Sequence, residues 1–184
     1  MIFLPNKFEL YCCVLRNTVQ HLIIKNGYRD KYIKNLMKIH KAEALFSYEE
    51  APANIKDFSS EILKAVFLKL KEKNKSFHFK IQKTGIFLIN KKLFSSLLLC
   101  LCRNAEKIEI GTLCGKIFIK AEKTDLIELK KLLKAINAEY FFERKNRKLL
   151  IIINATKTDK KPCENEKDWE YILNPLSVVN IYLN

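Results

Sequence analysis

Glycine and proline are scarce in this sequence, with four residues of each among 184. The glycines, Gly27, Gly85, Gly111 and Gly115, form neither a D-x-G-x-G motif nor a glycine run. Close approach of backbone amides to phosphate oxygens usually needs such glycines. We therefore expect no glycine-rich nucleotide-binding loop.

Long apolar runs are also missing. No stretch of 18 uninterrupted apolar residues occurs, and the N-terminal MIFLPNKFEL contains no apolar run behind a basic start. The sequence therefore predicts no membrane span and no secretory signal. We expect a soluble cytoplasmic protein whose thiols stay reduced.

The cysteines and histidines lack the spacing of a metal site. There is no C-x-x-C pair, and the three histidines, His21, His40 and His78, do not supply the paired ligands of a zinc finger. The sequence therefore predicts no metal site. The cysteines are Cys12, Cys13, Cys100, Cys102, Cys114 and Cys163.

The composition is that of a globular chain, with 48% hydrophobic and 29% charged residues and a formal net charge of +14. Only five of the 34 cationic residues are arginines, and the positive charge is spread along the chain. Arginine is the residue that contacts phosphates and bases bidentately. We therefore do not expect nucleic acid to be the main partner, and keep a basic nucleic-acid-binding protein as an alternative.

Residues 1–50 have the pattern of a helical hairpin. Apolar residues recur at three- and four-residue steps from Phe8 to Ile23 and again from Ile33 to Ala44, on either side of a turn at Asn26-Gly27. A lone hairpin exposes half of its apolar stripe, so we expect a homodimer in which two hairpins form a four-helix bundle. The predicted bundle interior consists of Leu15, Val19, Leu22, Leu36 and Met37.

Residues 51–154 alternate between helical and strand patterns. After a linker at Glu49–Asn54, the predicted order is helix, two strands, helix, strand, helix, two strands, which indicates a mixed sheet with helices on one face. The second helix of this region begins near Asn90. The third follows Asp125, whose spacing to Glu128 is that of a capping box. The predicted strands are Phe77–Ile81, Gly85–Leu88, Lys116–Lys120, Tyr140–Phe142 and Leu149–Ile153.

Residues 155–184 are predicted to form a C-terminal loop and a docked extension. Thr156–Lys167 is polar and indicates a surface loop, whereas the following apolar residues should pack back onto the domain. Val178–Tyr182 is a candidate edge strand.

Two motifs carry a resemblance to a known family. Residues 13–19, CVLRNTV, resemble the phosphoacceptor motif H-D-L-R-N-P-L of bacterial sensor histidine kinases, with Leu15, Arg16 and Asn17 in register. Residues 97–107, LLLCLCRNAEK, resemble the N box L-L-x-N-L-L-x-N-A-x-K of the same family and are the more specific match. The resemblance covers residues 5–154. It implies an α+β protein with an N-terminal dimeric helical hairpin followed by an α/β sandwich of the GHKL type.

The departures from both motifs bear on function. The family's phosphorylated histidine falls on Cys13, and the first N-box asparagine falls on Cys100, so that only Asn104 remains as a remnant of the magnesium-nucleotide site. About four residues separate the predicted strand ending at Lys120 from the next helix, too few for an ATP lid. We therefore expect no cofactor and no useful Mg-ATP binding.

Three functions remain open. The preferred one is a catalytically degenerate histidine-kinase-like protein that binds a response-regulator receiver domain or a true kinase through Cys13, Arg16, Asn17 and Gln20, which share one helix face. The second is a histidine phosphotransferase of a phosphorelay. In that case His21 is the candidate phosphoacceptor, since no other residue is assigned a catalytic role. The third is the basic nucleic-acid-binding protein, whose affinity would fall steeply with salt.

Overall fold

The computed structural model describes residues 7–26, 29–46, 49–162 and 182–183. The helices in these ranges are α1 (Lys7–Asn26), α2 (Asp30–Phe46), α3 (Ile55–Glu72), α4 (Lys91–Cys102) and α5 (Lys130–Ala135). The strands are β1 (Ala51–Asn54), β2 (His78–Ile81), β3 (Ile86–Ile89), β4 (Lys107–Leu113), β5 (Lys116–Glu122), β6 (Ala138–Glu143), β7 (Lys148–Ile153) and β8 (Thr156–Lys157). None of the described helices is both long and apolar enough to cross a bilayer.

The two N-terminal helices form where the apolar periodicity predicts them. Val19 and Ile23 of α1 and Leu36 of α2 are buried and belong to the same hydrophobic core as the inner residues of the sheet. Val19 and Leu36, which the sequence assigns to a dimer interior, are thus already buried within one chain. The exposed apolar side chains of α1 include Val14 and Ile24.

The main sheet is mixed, as predicted, with the strand order β2-β4-β5-β7-β6. β2 is parallel to β4, and the other neighbours are antiparallel. Alternate residues of β4, β5 and β7 are fully buried on the face that meets the helices, as expected for strands covered on one side. These residues include Ile108, Ile110, Ile117, Ile119 and Ile151.

Strand β4 was absent from the sequence prediction, which is therefore wrong for Lys107–Leu113. A glycine inside a strand weakens the strand pattern, and Gly111 lies in the middle of this one. In the sheet, Gly111 is paired with Phe118 of β5, whose ring covers it. A Cβ atom at residue 111 would lie 2.7 Å from that ring, so the close packing itself requires glycine.

A second sheet, with the order β1-β3-β8, corrects two further predictions. The predicted linker Glu49–Asn54 contains β1, which pairs with β3 and accommodates Pro52 because it is an edge strand. The predicted surface loop Thr156–Lys167 begins with β8, which pairs with the other side of β3. Both segments are too short to show a strand pattern of their own.

Helix α4 starts as predicted and lies at the centre of the core. The Asn90 side chain caps it by accepting a hydrogen bond from the backbone N–H of Leu93, at 2.9 Å. All residues from Leu93 to Cys102 are buried, and α2 packs against α4. The helix is therefore covered on more than the sheet side alone.

The capping box predicted at Asp125 and Glu128 is not formed. The Asp125 carboxylate accepts a hydrogen bond from the backbone N–H of Ile127 within a turn, and α5 begins only at Lys130. Glu128 turns instead toward Arg103 and Lys41. The capping pattern is local, whereas these two cations are distant in sequence, which explains the error.

The C-terminal residues that the structure describes are buried. Tyr182 and Leu183 are helical, and the Lys73 ammonium donates a hydrogen bond of 2.6 Å to the carbonyl of Leu183. The docked extension stays a prediction, and the predicted edge strand is wrong at Tyr182, because this residue is helical. Residues 178–181 of that prediction lie outside the described residues.

Candidate functional site

The phosphoacceptor-like motif lies on α1 beside α2. The Arg16 guanidinium contacts the Glu43 carboxylate of α2, with Nη1 and Oε2 3.3 Å apart. Asn17 and His21 are exposed, and Gln20 is partly buried. The side chain of Cys13 lies outside the part of the chain that the structure describes. Three of the four predicted contact residues are thus at least partly accessible, and one of them is tied to α2.

Cys12, the neighbour of Cys13, is buried under α2. Burial, together with the nearby Glu43 carboxylate, raises the pKa of the Cys12 thiol, although Arg16 acts in the opposite direction. The thiol is therefore protonated at neutral pH. A buried, protonated thiol is a poor nucleophile, so the role of Cys12 is packing between the two helices.

The N-box remnant does not form a paired site. Asn104 is exposed in the turn after α4, where its backbone N–H donates to the carbonyl of Leu101 at 3.3 Å. Cys100, which takes the place of the first N-box asparagine, is buried in the last turn of the helix. The two positions are four residues apart, but they do not share one open surface.

Cys100 is covered by Lys41 of α2. Desolvation raises the pKa of the Cys100 thiol to about 11, even though the charge of Lys41 and its hydrogen bond to the thiol act to lower it. The thiol therefore stays neutral at physiological pH. A lysine from the N-terminal helices thus contacts the residue that replaces the first N-box asparagine.

Lys41 belongs to a group of three charged side chains, which we term the Glu128 cluster and which consists of Lys41, Arg103 and Glu128. The Glu128 carboxylate oxygen Oε2 lies 2.6 Å from Arg103 Nη1 and 3.1 Å from Lys41 Nζ. Desolvation acts to raise the pKa of Glu128, but the hydrogen bonds and charges of Arg103 and Lys41 outweigh it, and the pKa is lowered. The cluster links α2, the end of α4 and the turn before α5.

His40, which directly precedes Lys41 in α2, forms a second polar contact. Its Nδ1 lies 3.1 Å from the Tyr182 hydroxyl and 3.2 Å from the Ser96 hydroxyl. Desolvation, with the charges of Arg16 and Lys92, lowers the pKa of His40 to about 4. The imidazole is therefore neutral at pH 7 and can accept hydrogen bonds from the hydroxyls. No local spacing in the sequence indicates this group of three side chains, because its members are distant along the chain.

The described residues offer little for a metal or a cofactor. No group of three or more potential metal-ligating side chains occurs among them, and the exposed histidines His21 and His78 lie on different elements. A cleft of about 430 Å³ lies near the start of α4. Among the described residues that line it, Glu50 is the only ionisable one. The other lining residues include Asn90, Asn137 and Asn154.

The described fold has counterparts among solved structures. Full-length ShkA, solved in complex with AMPPNP, superposes with a TM-score of 0.55 and 10% identity, over 77% of this chain and 39% of its own. The catalytic domain of histidine kinase ThkA gives a TM-score of 0.48 and 15% identity, over 60% of this chain and 97% of that domain. ThkA in complex with response regulator protein TrrA gives 0.47 and 12% identity, over 82% of this chain and 60% of that chain.

The superposition on ShkA, with a TM-score of 0.55, shows a similar fold. The chain has a histidine-kinase-like α+β fold whose mixed sheet resembles the GHKL catalytic domain. At such low identities the similarity establishes the fold alone. No family model matches the sequence, and no curated protein matches it.

Proposed function

We propose that this chain is a histidine-kinase-like protein of two-component signalling that binds a response regulator or a true histidine kinase without ATP-dependent autophosphorylation. The observation that carries the proposal is the burial of Cys100 in α4, the helix against which α2 with Lys41 packs. Lys41 belongs to the N-terminal helices, and Cys100 stands where the family has a magnesium-binding asparagine. The fold is retained while this position is packed against another part of the chain.

The signalling part of the proposal rests on the fold and on the motif in α1. Leu15, Arg16 and Asn17 keep the register of the phosphoacceptor motif, and Arg16 and Asn17 are accessible. The ThkA complex with TrrA is a case in which a protein of related fold contacts a response regulator. The predicted homodimer through residues 6–48 belongs to the same proposal, with Val14 and Ile24 as exposed apolar side chains on α1.

The absence of ATP-dependent chemistry is tested by nucleotide binding. Asn104 is exposed on a turn, Cys100 is a buried neutral thiol, and residues 123–129 alone connect β5 to α5. We expect titration calorimetry with Mg-ATP to show no saturable heat at millimolar nucleotide. A micromolar dissociation constant would contradict the proposal and indicate an active kinase.

The binding role is tested by purification from the native cell with a tagged chain and identification of the bound proteins. A receiver-domain protein or a histidine kinase is the expected partner. Arg16→Glu should abolish its binding, because the substitution reverses a charge on the predicted contact face. Glu43→Gln is the matched control, since it removes the Arg16–Glu43 ion pair but leaves the charge of Arg16 in place. Loss of binding in Glu43→Gln but not in Arg16→Glu would contradict the assignment of this face.

A phosphotransferase remains the second candidate because His21 is exposed on α1. An accessible imidazole could accept a phosphoryl group from a receiver aspartate and donate it to another. Radiolabelled phosphate in a reconstituted relay distinguishes the two functions. We expect His21→Ala to leave phosphate flow and partner binding unchanged, and loss of transfer in that variant would establish the phosphotransferase.

A further inference from the structure

The five-stranded sheet has one face that none of the described helices covers. Residues on this outer face alternate with the buried residues of each strand, as the pleat requires. Five of them are large and apolar: Leu113 lies at the end of β4, and the other four, which we term the outer apolar patch, lie together on β5, β6 and β7. These four are Phe118 of β5, Phe141 of β6, and Leu150 and Ile152 of β7.

The strand register makes this patch continuous. Phe141 of β6 is paired with Leu150 of β7, and Ile152, two residues further along β7, is paired with Phe118 of β5 on its other side. Phe141 is 70% exposed, and Leu150 and Ile152 are partly exposed. Phe118 covers Gly111 and is itself only 8% exposed, with the Lys120 ammonium 5.1 Å from its ring centre. A contiguous apolar surface of this kind commonly marks a binding surface.

The charges around the patch are nearly balanced. The outer-face positions of the five strands carry five lysines and four glutamates, a balance of +1 on a chain of net charge +14. Two lysine–glutamate pairs already form on this face, Lys116 with Glu139 and Lys107 with Glu122, each at 3.7 Å. The rest of the chain is therefore strongly positive, while this face is close to neutral.

We propose that the outer apolar patch is the contact surface for a second copy of this chain. The net charge of +14 on each chain opposes the association of two copies. The outer face adds little to that repulsion, and a surface carrying both signs of charge around an apolar centre is complementary to itself in a two-fold contact. Two such sheets pack face to face as in a β-sandwich, with the four apolar side chains of each copy between them.

This contact is separate from the proposed signalling function and from the predicted contact through α1 and α2. It therefore has to be tested with the helical contact disabled. Ile24→Asp introduces a charge at a side chain of α1 that is 77% exposed, so the variant should fold while any association through that helix is weakened. The measurements are made on this variant as the starting chain.

The test is sedimentation velocity over a range of protein concentrations. We expect Ile24→Asp to form a dimer, and the added substitution Phe141→Asp to weaken dimerisation at least about tenfold, because it replaces the most exposed side chain of the patch with a charge. Ile127→Asp is the matched control, since Ile127 is 79% exposed but lies in the turn before α5. Circular dichroism checks that all variants are folded. Benzoylphenylalanine at residue 141 should in addition give a photo-cross-linked dimer of the chain.

Three outcomes would overturn the inference. One is a monomer at every concentration in the Ile24→Asp variant, and another is dimerisation that Phe141→Asp leaves unchanged. The third is a cross-link from residue 141 only to another segment of the same chain or to a different protein.

Discussion

Arg103 and Lys41 hold the same carboxylate oxygen of Glu128, at 2.6 Å and 3.1 Å respectively. Lys41 belongs to α2, and Arg103 follows α4, so a single side chain ties the N-terminal helices to the end of the central helix. The contact lies directly beside Cys100, the position at which the sequence departs from the N box. The Glu128 cluster thus connects the N-terminal helices to the end of α4. In histidine kinases, which the sequence resembles, the matching position of α4 faces the nucleotide.

Glu128→Gln should reduce stability at neutral pH but have less effect in acid. The folded pKa of Glu128 is lowered from its ordinary value of 4.5, so its contribution is present above that value and is lost as the pH falls further. Because the carboxylate is partly exposed, we expect about 0.2–1 kcal/mol at pH 7. Thermal unfolding from pH 7 to pH 3 measures the difference. Lys69→Gln, which removes a surface pair with Glu72 within α3, is the control. A destabilisation that grows as the pH falls would be the contrary result.

His40 should make the protein less stable in mild acid. The pKa of His40 is lowered from 6.5 to about 4, so the unfolded chain binds a proton in this interval while the folded chain does not. Stability is therefore lost as the pH falls from about 6.5 to about 4, by up to about 3 kcal/mol. Urea unfolding at pH 7 and pH 5 measures this loss. His40→Gln should flatten the profile, and His21→Gln, at an exposed position, should leave it as it is.

Leu36→Ala should destabilise a single chain. Leu36 is 2% exposed without any partner chain, so its truncation leaves a cavity in the core and should cost about 2–5 kcal/mol. Chemical unfolding at several protein concentrations measures this cost, which should be the same at each of them. Ile24→Ala, at an exposed site on α1, should change the free energy of unfolding by less than about 0.5 kcal/mol. A cost for Leu36→Ala that disappears at high concentration would instead place Leu36 in an interface between chains.

Cys114→Asn should stabilise the hairpin between β4 and β5. Cys114 and Gly115 form a two-residue turn with φ angles of 50° and 75°, and Leu113 is paired with Lys116 on either side. A turn of this kind favours asparagine followed by glycine, because asparagine tolerates the left-handed region better than cysteine. We expect a gain of about 0.5–1 kcal/mol in the free energy of unfolding. Cys114→Val should have the opposite effect, since a β-branched residue is strained at a positive φ.

The sequence was sufficient for the elements that carry a long local pattern. Helices α1 and α2 follow apolar periodicities of several turns. Helix α4 begins directly after Asn90, because an asparagine side chain can cap the first turn of the helix that follows it. The mixed sheet was also predictable, because β5 and β7 contain short apolar runs, Ile-Phe-Ile and Leu-Leu-Ile-Ile-Ile, bounded by polar residues. In each case the determining interactions lie within a few residues of one another.

The tertiary structure decided what depends on distant partners. β1 and β8 exist because β3 lies between them, and β4 tolerates Gly111 because Phe118 covers it from the next strand. The Glu128 cluster joins residues 41, 103 and 128, and His40 meets Ser96 and Tyr182, so no local spacing could reveal either group. Periodicity determines which face of an element is buried. Which side chain each buried residue contacts is decided only when distant segments pack together in the tertiary structure.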